Sequence, residues 1–177
     1  MRTKVCIGIA ISAAVATGVT ATPGLAAVGT ELVQGTTLAS LSLSAGTGAS
    51  FSTGFTTGGT ATSSGALTAT DTSLSWTLQV KDTASSNPGH MAAAASGCSG
   101  SDASLANPLS VQVTSPLGGV TSAGSVSISG TNQTVASATS QLLAANVFTT
   151  NYTQVIPSTE VLRTGCVYSL TATYTLQ

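Results

Sequence analysis

His90 is the only histidine of the chain, and so the one side chain whose ordinary pKa would let it exchange a proton near neutral pH. Serine is abundant, and the members of a Ser-His-Asp hydrolytic site meet in space without being neighbours in sequence. Nothing organises such a site here. There is no Gly-x-Ser-x-Gly elbow, and no acid stands near His90 in a recognisable pattern. His90 falls in Asn87-Pro88-Gly89-His90-Met91, a turn sequence, and is expected to be an exposed loop residue. With no motif-supported acid, base or nucleophile, the chain is read as a non-enzyme, with catalytic residues none.

Metal chemistry fares no better. Zinc takes three or four Cys, His or carboxylate ligands, and one histidine with a few widely spaced cysteines supplies them poorly. Calcium would have to draw on Asp71, Asp82 and Asp102 with loop carbonyls, but no EF-hand spacing or dense acidic loop occurs. These carboxylates are expected to be solvated, and neither a metal nor a cofactor is expected. Lys81 closes an alternating run on its polar side, which points it outward rather than towards an intramolecular isopeptide partner.

The start of the chain says where it goes. Arg2 and Lys4 precede an apolar run over 5–19, followed by Pro23-Gly24 and Leu25-Ala26-Ala27. That is the layout of a secretory signal peptide, a short helix cleaved after Ala26 or Ala27. The run is shorter than the roughly 20 residues that span a bilayer. Residues 1–27 are thus expected to leave, Cys6 with them, and 28–177 to form one domain in which 28–64 is loose. The protein is expected outside the cell.

Export leaves Cys98 and Cys166, and an even count in a secreted chain suggests a disulfide between them. A bridge closing so long a loop would stabilise the fold by roughly 4 kcal/mol in the chain-entropy account. Export also leaves Lys81 and Arg163 as the basic residues, against Glu31, Asp71, Asp82, Asp102 and Glu160. So few cations cannot neutralise a run of phosphates or hold an anionic bilayer, which sets nucleic acid and membrane aside as partners. The hydrophobic fraction of 42% and mean hydropathy of +0.40 are opposite to the signature of a disordered chain.

The elements come from period-two alternation, which puts every second side chain on one face of a strand. Leu74, Trp76, Leu78 and Val80 alternate with Ser75, Thr77, Gln79 and Lys81. Leu109, Val111 and Val113 do the same, as do Val126 and Ile128, Phe148, Tyr152 and Ile156, and Tyr168, Leu170, Ala172, Tyr174 and Leu176. Gly, Pro and Asn clusters punctuate these runs. Short one-face-apolar strands with such punctuation predict an all-β fold, an antiparallel two-sheet β-sandwich of Ig-like type. Helical turns are expected on propensity only over 91–95 and 137–145, and 46–64 reads as a loose hairpin or loop anchored by Phe51 and Phe55.

Two of these strands carry a resemblance. Ser75-Trp76-Thr77-Leu78 contains Trp-x-Leu, and Tyr168-Ser169-Leu170-Thr171-Ala172-Thr173-Tyr174-Thr175-Leu176 is similar to Tyr-x-x-x-Leu-Thr-Trp-Thr-Leu, with Ala172 in place of Leu and Tyr174 in place of Trp. Over roughly 51–177 the chain resembles a divergent WxL-like domain of Gram-positive bacterial cell surfaces. The resemblance implies a secreted β-sandwich held non-covalently on the cell wall, through peptidoglycan, another wall component or surface proteins. Alternation places the motif residues Trp76, Leu78, Tyr168, Tyr174 and Leu176 in the core, where an aromatic ring needs one polar partner at most. The competing reading is a self-assembling subunit of a surface fibre or layer, a homo-oligomer joined by strand addition at sheet edges that lack charged guards.

Overall fold

The computed structural model describes residues 41–46, 48–52, 54–93, 104–140, 142–163 and 165–177. Strands form where small, β-branched and aromatic residues alternate between an apolar side and a Ser/Thr side. They are β1 (Leu41–Ala45), β2 (Thr60–Asp71), β3 (Trp76–Asp82), β4 (Ala92–Ala93), β5 (Ser110–Thr114), β6 (Val120–Ser122), β7 (Val126–Ser127), β8 (Gln133–Ala138), β9 (Leu142–Val155), β10 (Tyr168–Ser169) and β11 (Ala172–Leu176). No helix occurs among the described residues. The fold is all-β.

Every pairing is antiparallel. One sheet has the order β1-β2-β9-β5-β7, a second β11-β3-β8-β6, and a small third β10-β4. The central ribbon of the first sheet is long: β2 pairs with β9 from Thr60 opposite Val155 to Asp71 opposite Leu142, with an irregularity between Ala69 and Asp71. One cluster of buried side chains joins the two larger sheets, including Leu67 of β2, Trp76, Leu78 and Val80 of β3, Val111 and Val113 of β5, Val135 of β8, Phe148 of β9 and Leu176 of β11. Trp76 meets Phe148 edge to face at 5.7 Å between ring centroids, and its indole N–H donates to the Ser140 carbonyl at 2.9 Å. That one bond satisfies the ring's only polar atom.

The outward faces are hydroxyl-rich. On the first sheet Ser127, Ser110, Thr153 and Thr62 stand in one cross-strand row, and Gln112, Asn151 and Ser64 in the next. On the second, Thr175, Gln79 and Thr134 line up, with Lys81 opposite Thr173.

Several expectations are corrected. Residues 137–138 end β8 and 142–145 begin β9, so no helical turn forms over the described part of 137–145; Ala92 and Ala93 are likewise strand. Helix propensity loses there to pairing with β2, β3 and β10. Leu74 lies outside β3 and is 75% exposed, because the chain bends at 73–75 before the alternation starts. The closing run 168–176 is not one strand: β10 pairs with β4 and β11 with β3, the chain changing sheets at Leu170-Thr171.

Candidate functional site

Seven aromatic residues exist in the chain, and they divide into two groups. Trp76 and Phe148 are spent inside the core. All three tyrosines and the other two phenylalanines line one groove of about 920 Å³, at the upper end of the range for small-ligand clefts. Its floor is Leu67 of β2 with Thr150 and Tyr152 of β9; one lip is formed by described residues of 46–55, the other by described residues of 162–174.

The sequence builds these walls for local reasons. Gly46 prolongs the β1–β2 ladder by donating its N–H to the Ala66 carbonyl at 2.9 Å, and a Cβ there would sit 2.8 Å from that oxygen. Past it, Phe51 and Phe55 fold back against the core and meet edge to face at 5.3 Å. Phe55 continues to the ring of Tyr168 at 5.9 Å. The Tyr168 hydroxyl accepts the backbone N–H of Arg163 at 3.2 Å, which ties the second lip together. On the floor, the hydroxyls of Tyr152 on β9 and Tyr174 on β11 are 2.8 Å apart and bridge the two larger sheets. Burial pushes the Tyr174 phenol well above its ordinary value of 10.0, and the neighbouring Tyr152 adds to the shift by its charge and its hydrogen bond. Tyr174 therefore stays a neutral donor or acceptor throughout the physiological range.

Among the described residues that line the groove, Arg163 is the one charged side chain. The arrangement offers ring faces and edges, phenol and threonine hydroxyls, and a single guanidinium. It suits stacking and hydrogen bonding to a largely neutral partner. Its described lining residues include no acid–base pair.

The other residues singled out by sequence are placed apart from it. His90 is half-buried rather than exposed, because Nδ1 lies 2.7 Å from the Leu105 carbonyl. In the neutral ring that nitrogen carries the proton. Asp71 and Asp82 are buried rather than solvated, at 2% and 4% exposure. Asp71 accepts the Ser73 N–H at 2.7 Å; Asp82 accepts those of Ala84 at 3.0 Å and Gly89 at 2.8 Å. They serve as turn braces, since each satisfies backbone donors that the turn leaves over. Asp102 lies outside the described residues, and no group of three His, Cys, Asp or Glu is found among the described ones.

Of the motif residues, Trp76, Leu78 and Leu176 are buried, while Tyr168 and Tyr174 are partly buried and reach the groove. Cys166 lines the groove; Cys98 lies outside the described residues. Sequence reasoning gave no groove role to Phe51, Phe55, Tyr152 or Arg163. The one signal available was that Phe51 and Phe55 are large apolar residues in a stretch otherwise of Gly, Ser, Thr and Ala.

No family model matches the chain, nor does any curated protein or solved structure.

Proposed function

We propose that this is an exported, non-catalytic β-sandwich of the bacterial surface that associates non-covalently with the cell wall, through peptidoglycan or surface proteins, and that the aromatic groove is where it does so. The observation that carries the reading is the gathering of Tyr152, Tyr168, Tyr174, Phe51 and Phe55 around one cleft with Arg163 as its only charge among the described lining residues. Stacking rings supply area at low conformational cost, hydroxyls supply orientation, and a single guanidinium suits a sparse acid on an otherwise neutral polymer. The sandwich is supported by the two larger antiparallel sheets sharing one buried cluster. The resemblance to WxL-like domains points to the same compartment.

The Cys98–Cys166 bridge belongs to this proposal. β4 and the Ala92–Ser104 bridge bracket the stretch that holds Cys98, and β10, which begins two residues after Cys166, pairs with Ala92 and Ala93.

Co-sedimentation with purified peptidoglycan tests the reading. The wild-type chain should pellet with the wall, and Tyr168→Ala and Arg163→Ala should each lower the bound fraction about tenfold, the scale of one lost anchor. Trp76 emission should stay unchanged on binding, since the ring is 2% exposed. Failure of the wild type to pellet, or pelleting of both variants as complete as that of the wild type, would overturn the assignment. The competing reading, self-assembly, is favoured by one separate observation, the uncharged and exposed strand β1.

A further inference from the structure

Strand β1 has a side that no described residue occupies. It pairs with β2 alone, in a register that sets Ala45 opposite Leu67 and Leu41 opposite Asp71. The next residue, Gly46, bonds to the Ala66 carbonyl directly across from it. In an antiparallel ladder the hydrogen-bonded positions alternate, so Ser44 and Ser42 also aim their backbone groups at β2. Leu41, Leu43 and Ala45 must then aim theirs at the free edge.

Among the described residues, that edge carries none of the usual guards. Leu41–Ala45 contains no charge and no proline, its pairing with β2 has no bulge, and Leu41 is 59% exposed. The segment Leu41-Ser42-Leu43-Ser44-Ala45 also reads almost alike in both directions. Set antiparallel to a second copy about a two-fold axis at Leu43, perpendicular to the sheet, it places Leu43 opposite Leu43, Leu41 opposite Ala45 and Ser42 opposite Ser44. Apolar residues meet apolar residues on the core side, serines meet serines on the outer side, and every outward backbone group finds a partner. Such a contact is isologous and closed.

We infer that the partner of β1 is β1 of a second copy, joining the two five-stranded sheets into one continuous sheet across a two-fold. This rests on the self-assembly reading and not on the groove, and it specifies a closed dimer in place of an open fibre. The exposure and neutrality of the edge, and its self-complementary sequence, select a second copy over a foreign strand.

Sedimentation equilibrium of the exported chain should give a reversible dimer. Leu41→Lys and Ala45→Lys, both at exposed positions, should each weaken it at least tenfold while leaving unchanged the urea midpoint measured at concentrations where the chain is monomeric. The double variant Leu41→Lys with Ala45→Glu should restore it, because the new charges of opposite sign then face one another across the axis. Under oxidation, a mixture of Ser42→Cys and Ser44→Cys chains should form the crossed disulfide dimer, whereas Ser42→Cys alone should not. A monomer at all concentrations, filaments, indifference to both lysines, or cross-links in another register would each overturn the inference. Tyr168→Ala should leave the dimer intact, so failure of wall binding and failure of edge pairing are read separately.

Discussion

The two flanks of the core are built to opposite rules. On one, the chain leaves β6, turns at Gly124 with φ of 80°, joins the first sheet as β7 and then reaches the second, where the Ser129 carbonyl accepts the Asp82 N–H at 2.8 Å. Ile128 bonds to Leu109, Leu109 to Gly89 and Leu105 to Met91, so this flank is laced by backbone hydrogen bonds from sheet to sheet. The opposite flank, where β1 and β11 are the edges, is joined by side chains: the Tyr152–Tyr174 hydroxyl pair and the Phe51–Phe55–Tyr168 series. Backbone lacing fixes the geometry of that flank. Side-chain bridging leaves a groove and, among the described residues, a strand with one open edge, which are what a partner can use.

The sharpest way to break this contrast is Gly89→Ala. Gly89 has φ of 89°, and a Cβ there would overlap the Ile128 carbonyl, so the laced flank must open; a loss of about 3 kcal/mol or more is expected in urea unfolding. A cost no greater than that of groove variants would erase the distinction. Asp82→Ala should come next, at about 2 kcal/mol, since the Gly89 and Ala84 N–H groups lose their acceptor. Asp82→Asn should recover part of it, and an undiminished loss would show that the carboxylate does not act through those bonds.

Smallest at neutral pH is Tyr174→Phe, about 1 kcal/mol for one partly buried hydrogen bond. Its signature lies at alkaline pH. The folded phenol is raised above the ordinary 10.0, so the native state holds its proton where the unfolded chain gives it up. The stabilisation is therefore complete below pH 10 and drains away as pH climbs above it. Wild type should lose stability between pH 9 and 11 more steeply than Tyr174→Phe. Parallel profiles would contradict the buried hydroxyl pair.

The same contrast separates what could be read in the sequence from what could not. Trp76, Leu78 and Val80 announce β3 because large apolar residues fill its inward positions. β2 is twice hidden: Ala61, Ser63, Gly65, Leu67 and Ala69 take its inward side, and residues so small or polar leave little periodicity to detect. β9 looked irregular because Thr150 and Gln154 occupy buried positions, at 2% and 0% exposure. Gln154 reconciles this by donating to the Asn107 carbonyl at 3.1 Å. The groove was the least legible feature. Its aromatic residues belong to separated stretches, brought together only by the pairing of β1, β2 and β9 in one sheet and of β11 with β3 in the other.

The β2–β9 ribbon sets the order in which the molecule can assemble. Its strands begin and end on residues as far apart as Thr60 and Val155, and β11 must still dock on β3 across the intervening strands. Such contacts demand closure of long loops before any reward arrives, so folding is slow.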